Sequence, residues 1–248
     1  SSVAAPAVSI GLARSAHLFS NSSILTEKGP LLLSAGSDIT LSNPFNMSQP
    51  LIVADQLSIH SLGHIMLENN AQVQTKSGTL SLLGDEGLFL DHQALITAGS
   101  GSLFLSSSQG NIQLSGHSEA KTLGGSMQVK AGRSIILNHF SKMSALGTGG
   151  ATFVVNKMQK QPSGGMIVGK HASIITGEKE KLTIYTASRS ADSIEGTLNG
   201  ERVDPSPLYL STNEEVWGVS FTENARNAPT SKPVHKNPLV EFIKNSPF

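Results

Sequence analysis

Residues 71–82 read AQVQTKSGTLSL, residues 94–105 ALITAGSGSLFL, and residues 118–129 SEAKTLGGSMQV. Each block closes on an alternating apolar triplet, and a second triplet follows each: LFL at 88–90, IQL at 112–114 and IIL at 135–137. Val73, Ile96 and Ala120 then occupy one position of the block, and Leu80, Leu103 and Met127 another, at steps of 23 and 24 residues. A fixed period of this size is the mark of a solenoid. Alternation within each triplet is the mark of a strand with one face buried.

Working outward, three strand positions recur. Position A starts at Val8, Leu31, Leu57, Leu80, Leu103, Met127, Phe153 and Leu182. Position B starts at Ala16, Ile39, Ile65, Leu88, Ile112, Ile135 and Met166. Position C falls at Ile24, Met47, Val73, Ile96, Ala120, Met143 and Ile174. The expectation is an all-β chain: a single-stranded parallel, right-handed β-helix of about 23 residues per coil, closed by a C-terminal cap. Handedness follows the general rule for parallel crossovers. Seven to eight coils fill residues 1–185, a rod about 35–40 Å long at the usual strand spacing. Cap strands are expected in residues 186–222, and an extended tail in residues 223–248, which is polar and carries prolines. Gly29, Gly78, Gly101 and Gly125 precede A strands, and Gly36, Gly63, Gly87, Gly110 and Gly132 precede B strands. They read as corner residues chosen for positive φ. Departures from the period predict insertions at residues 49–55 and 156–165.

Composition narrows the function. Charged residues are 15 % of the chain, net charge is zero, and there is no cysteine. A neutral chain without a basic patch does not suit nucleic acid. No apolar run is long enough for a membrane-spanning helix, and Ser1–Ser15 lacks the pattern of a signal peptide. Without cysteine there is no disulfide framework and no thiolate metal site. No cofactor is expected: the glycines at 147, 149 and 150 lack the lysine and following helix of a phosphate loop.

SAGSDITL (34–41), KAGRSIIL (130–137) and ALITAGSGSLFL (94–105) resemble the repeats of filamentous-haemagglutinin-type bacterial exoproteins. The resemblance covers residues 8–185. It implies a β-helical shaft, secreted or held at the bacterial cell surface. It implies adhesion as well, with a host glycan or protein, or another segment of the same exoprotein, as partner. Asn43-Pro44 is followed by Phe45, not by the second asparagine of the motif found in the secretion domain of that group.

Three constellations could carry chemistry. First, the outward B positions run His17, Thr40, Met66, Phe89, Gln113, Ile136, Ile167. Met66, Phe89, Ile136 and Ile167 are apolar where water is expected, so a covering element or partner is implied. The 156–165 segment, with Lys157, Gln159 and Lys160, is the loop best placed for recognition. Second, a polysaccharide hydrolase or lyase would need acids a few ångströms apart. Asp85, Glu86 and Asp91 flank one B strand and are the candidates for that alternative. Third, His92, His117, His139 and His171 fall in the corner between B and C. His92 and His139 share one column, His117 and His171 the next, and partners within a column stand about 10 Å apart. A single zinc would need ligands at about 2 Å from one point, so these are weak metal candidates, and a solvated corner accounts for them. Asn43 and Asn69 align in adjacent coils as a possible amide ladder.

Overall fold

The computed structural model describes residues 7–26, 28–44, 48–155, 164–178, 180–186, 192–202 and, as backbone, 219–222. Every regular element among them is a strand. The strands form three parallel sheets of nine, eight and eight members. In each sheet the neighbours are every third strand of the chain, so each coil gives one strand to sheet A, one to B and one to C. This is a parallel β-solenoid.

The fourth coil shows how the sequence makes the shape. Its strands are Leu80–Gly84, Gly87–Leu90 and Leu95–Ala98. Leu80, Leu82, Leu88, Leu90, Ile96 and Ala98 point inward and are buried; Ser81, Phe89 and Thr97 point outward. Leu80 pairs with Leu57 on one side and Leu103 on the other, and Leu103 with Met127. The three apolar columns merge into one core running through the coils. No coil can bury its apolar row alone, so stability comes from stacking neighbours.

The corners are closed by buried hydroxyls. Thr122 Oγ1 donates to Gly101 O at 2.7 Å and accepts from Gly125 N at 3.2 Å. Ser107 Oγ accepts from Gly110 N at 3.0 Å, and Thr75 Oγ1 donates to Gly78 O at 3.0 Å. Small side chains at the inward end of A and C strands thus satisfy backbone groups where the ladder breaks.

Three details differ from the sequence expectation. The seventh A strand is Ala151–Val155, and Ala151, not Phe153, lies in register with Met127; Phe153 pairs with Val129. The size of Phe153 suggested the start of the triplet, but the strand opens on a small residue. Second, Ile52 rather than Met47 pairs with both Ile24 and Val73. Leu51–Ala54 is the C strand itself, so the extra residues lie before it, in the corner that follows Leu41. Met47 lies outside the described residues.

Third, of the nine corner glycines singled out, only Gly29 has positive φ. The rest are small for another reason. A Cβ on Gly110 would overlap Glu86 O, and one on Gly101 would overlap Gly78 O, because stacked corners bring one backbone against the next. Positive φ falls instead on the B–C corners, on Asn69, Asn70, His92, Gln93, His117, His139 and Phe140. The described strands of residues 186–222 continue the three sheets. Ser193–Ile194 and Thr197–Leu198 extend sheets B and C, and Val219–Thr222 pairs in parallel with Leu182–Tyr185. Leu208 to Leu210 and the tail at 223–248 lie outside the described residues.

Candidate functional site

Three surface regions gather the chemistry. The first is the outer face of sheet B. His17, Thr40, Met66, Phe89, Gln113, Ile136 and Ile167 form one column in unbroken register. Met66, Phe89, Ile136 and Ile167 are half-buried, in two apolar pairs separated by Gln113. The Phe89 ring leans on His64, with centroids 5.5 Å apart and a 40° tilt. Lys157, Gln159 and Lys160 lie outside the described residues.

The second region is acidic. Asp85, Glu86 and Asp91 do not converge. Asp85 and Glu86 sit in the A–B corner before Gly87–Leu90, and Asp91 follows that strand. The strand rise puts roughly 15 Å of chain between Glu86 and Asp91, beyond the separation either glycosidase geometry uses. Each acid has its own local partner. Asp85 Oδ1 accepts from Ser108 Oγ at 3.0 Å. Asp91 Oδ1 accepts from Ser115 Oγ at 2.7 Å, and Asp91 Oδ2 stands 2.8 Å from His92 Nδ1.

Glu86 joins a cluster the sequence reading did not assemble. His64 Nδ1 lies 3.2 Å from Asp38 Oδ1 and 3.6 Å from Glu86 Oε2. Asp38 Oδ1 also accepts from the His64 backbone N–H at 2.7 Å. That backbone bond is the main reason the Asp38 carboxyl is held below the usual carboxylate range. Partial burial opposes the shift; the ring hydrogen bond and charge of His64, and the more distant His17, add to it. A Cβ on Gly63 would overlap the Asp38 carboxylate, so glycine is what admits it. The signal was present in the register. Ile39, Ile65 and Leu88 are one column, and Asp38, His64 and Gly87 precede them. The cluster pins the A–B corners of three successive coils together.

The third region is the B–C corner. Each four-residue turn is closed by a backbone bond from its last residue to its first: Ala94 N to Asp91 O at 3.2 Å, Ser118 N to Ser115 O at 3.0 Å, and Ser141 N to Asn138 O at 3.1 Å. Both central residues are left-handed: His92 and Gln93, Gly116 and His117, His139 and Phe140. The ladder continues through the turns, with Gln93 N donating to Gly116 O at 2.8 Å and His117 N to His139 O at 2.9 Å.

His117 and His171 share a column two coils apart, as the alignment requires, and the ring of Phe140 lies between them. The His117–Phe140 centroids are 4.9 Å apart at 3°, and the Phe140–His171 centroids 4.6 Å apart at 12°. Phe140 is 54 % exposed. His92 and His139 stand in the neighbouring column, with Gly116 between them in sequence order of coils. Among the described residues no group of His, Cys, Asp or Glu is arranged to hold a metal ion. The asparagines of the expected ladder use other partners: Asn43 Oδ1 accepts from Ser20 Oγ at 2.5 Å, and Asn69 Nδ2 donates to Ser42 Oγ at 3.2 Å.

Compared with known proteins, the chain matches no protein-family model, no curated protein and no solved structure.

Proposed function

We propose that this chain is part of the shaft of a secreted or cell-surface bacterial adhesin-like protein, non-catalytic, which binds a host glycan or protein along its side. The observation that supports this reading is the outer column of sheet B. Met66, Phe89, Ile136 and Ile167 stand in register on a regular, rigid surface at positions that face water. Large apolar side chains on such a face mark an interaction surface. The alternative, a polysaccharide-cleaving enzyme built on Asp85, Glu86 and Asp91, has less behind it, since these acids stand apart and are bonded elsewhere.

The test is a glycan and host-matrix-protein array probed with the purified chain, alongside a reducing-end assay on the glycans bound. Binding that weakens in Phe89→Ser, with no cleavage product, supports the proposal. A chain that binds nothing on either array overturns it. Cleavage that disappears in Asp85→Asn or Asp91→Asn would establish the enzyme instead.

A further inference from the structure

One edge of the rod carries leucine where the fold does not ask for it. The residue that follows the C strand is Lys76, Gly99, Leu123, Leu146 and Gly177 in coils three to seven. Backbone bonds hold them in one column. Gly99 N donates to Thr75 O, Leu123 N to Ala98 O, Leu146 N to Thr122 O and Gly177 N to Ala145 O, at 2.7–3.0 Å. Lysine and glycine occupy the same position in the coils on either side, so the corner does not require a large apolar side chain. Leu123 is 51 % exposed and Leu146 48 %, so folding gains little from either. A single exposed leucine is ordinary; two stacked in neighbouring coils make a patch. The other exposed large apolar residues among those described are placed differently. Leu12, Phe19 and Leu25 belong to the first coil, at the end of the rod. Leu62 has Gly36 and Asp85 as column neighbours, and Phe140 lies between two histidine rings.

The ground around the pair is small and neutral. Gly124 follows Leu123, Gly147 follows Leu146, and Gly99 and Gly177 flank the two along the edge. None of these four positions carries a side chain that could screen the leucines. Charge lies farther out, with opposite sign at the two ends. Lys76 is exposed two coils before Leu123, and Glu178, also exposed, follows Gly177 in the coil after Leu146. Other charged groups nearby are engaged or set aside. Glu180 Oε2 accepts from Gly149 N at 2.8 Å, and Lys121 pairs with Glu119 at 3.1 Å. Lys181 stands on the sheet A side of the corner, next to Leu182.

We propose that two copies of this chain pair side by side and antiparallel along this edge, Leu123 of each against Leu146 of the other. A twofold axis can join two rods on one edge in two ways. With the axis along the rods, equal coils meet, so Lys76 faces Lys76 and Glu178 faces Glu178. With the axis across the rods, between coils five and six, leucine still meets leucine, but coil three now meets coil eight. Lys76 of one copy then lies one strand spacing, about 4.8 Å, from the level of Glu178 of the other, an offset that a lysine side chain spans. Symmetry makes each contact twice. Like charges oppose the first arrangement and opposite charges favour the second. Contact along one edge buries less than a standard interface, so the dimer is weak, and its exposed ion pairs make it salt-sensitive. The edge between C and A lies opposite sheet B in the order of the coil. Both outer columns of sheet B therefore stay open in the pair and point away from each other. The proposal goes beyond the ligand reading above and does not depend on it.

The experiment is sedimentation equilibrium of the full chain over about 5–500 µM, a range that spans weak association. The expected result is a monomer–dimer equilibrium that weakens as salt rises. L123S/L146S should weaken it about tenfold or more, as loss of a central apolar contact does. Lys76→Glu should weaken it as well, and K76E/E178K should restore it, because the swap re-forms both ion pairs. The chain has no cysteine, so Ser77→Cys, at an exposed position of coil three, gives one attachment point for a nitroxide. Double electron–electron resonance of the labelled dimer should read at least about 24 Å, five strand spacings, where parallel pairing would bring the labels side by side. Circular dichroism melting checks that the variants fold, and the labelled chain tests the arrangement with both leucines in place. A monomer at every concentration overturns the proposal. So does wild-type dimerisation in L123S/L146S, a charge swap that fails to rescue Lys76→Glu, or labels side by side. A dimer lost in Phe89→Ser and kept in L123S/L146S would place the contact on sheet B and overturn this edge, while ligand binding on the arrays is read independently.

Discussion

Thr122→Val isolates what a buried hydroxyl does in a solenoid corner. Thr122 is fully buried at the end of its strand in sheet C. Its Oγ1 donates to Gly101 O of the coil below at 2.7 Å and accepts from Gly125 N of its own corner at 3.2 Å. Valine has almost the same shape, so no cavity opens. What changes is that one carbonyl and one amide lose a partner in a part-buried corner. An unsatisfied buried group costs about 1–3 kcal/mol, and partial access to water lowers that for each of these two, so the variant should lose about 1–2 kcal/mol. Thr97→Val is the control: Thr97 points outward and is half-exposed, and a surface change of this kind stays within about 0.5 kcal/mol. Urea unfolding at equal slope reads the difference as a shift in midpoint, and hydrogen exchange at Gly125 should lose its protection in the variant. A Thr122→Val midpoint equal to that of wild type, with Gly125 still protected, would refute the claim that hydroxyls close these corners.

Three other outcomes follow from the geometry. Leu82→Ala removes a buried side chain stacked between Ile59 and Leu105, and since both flanking strands are fixed by the ladder the loss should reach about 3–5 kcal/mol by urea melting, with Ser81→Ala near zero. Gly110→Ala sets a methyl into Glu86 O, so overpacking of about 1–3 kcal/mol should lower the melting temperature although alanine costs less backbone entropy on folding. The Asp38 carboxyl is depressed by the His64 backbone N–H; its contribution is therefore complete above the unfolded carboxylate value of about 3.9 and lost as pH falls through the lower folded value, so a melting series from pH 6 to 2 should fall less steeply at its acid end in Asp38→Asn.

The period and the inward columns are legible because burial alternates at every strand, and each coil repeats the test. Leu31, Leu57, Leu80 and Leu103 needed no further information than their spacing. Register fails where an insertion removes the spacing and side-chain size has to substitute for it. That is how Phe153 stood in for Ala151, and Met47 for Ile52. The corners are less legible for a different reason. Glycine has two uses, left-handed backbone and close approach, and the sequence does not separate them. Here glycine mostly serves approach, and asparagine, histidine, glutamine and phenylalanine take most of the left-handed turns. The His64 cluster and the Phe140 stack escaped because each is assembled from three coils. Asp38 and Glu86 look remote until His64 is placed in the coil between them.

A solenoid converts a sequence interval of one coil into a spatial step of one strand spacing. Side chains far apart along the chain thereby form straight columns with fixed pitch, and the outer surface carries lines rather than pockets. A line recognises a repeating ligand better than a compact one, because each further coil adds a contact at the same pitch with little extra ordering of the protein. The stack at His117, Phe140 and His171 is one such line: one ring per coil, near-parallel, on a backbone fixed by ladder bonds between neighbouring turns. It also has a defined end. The eighth coil joins sheets B and C through Glu195 and Gly196 alone, so the two central corner positions that carry the rings are missing there. The line of rings thus stops at His171.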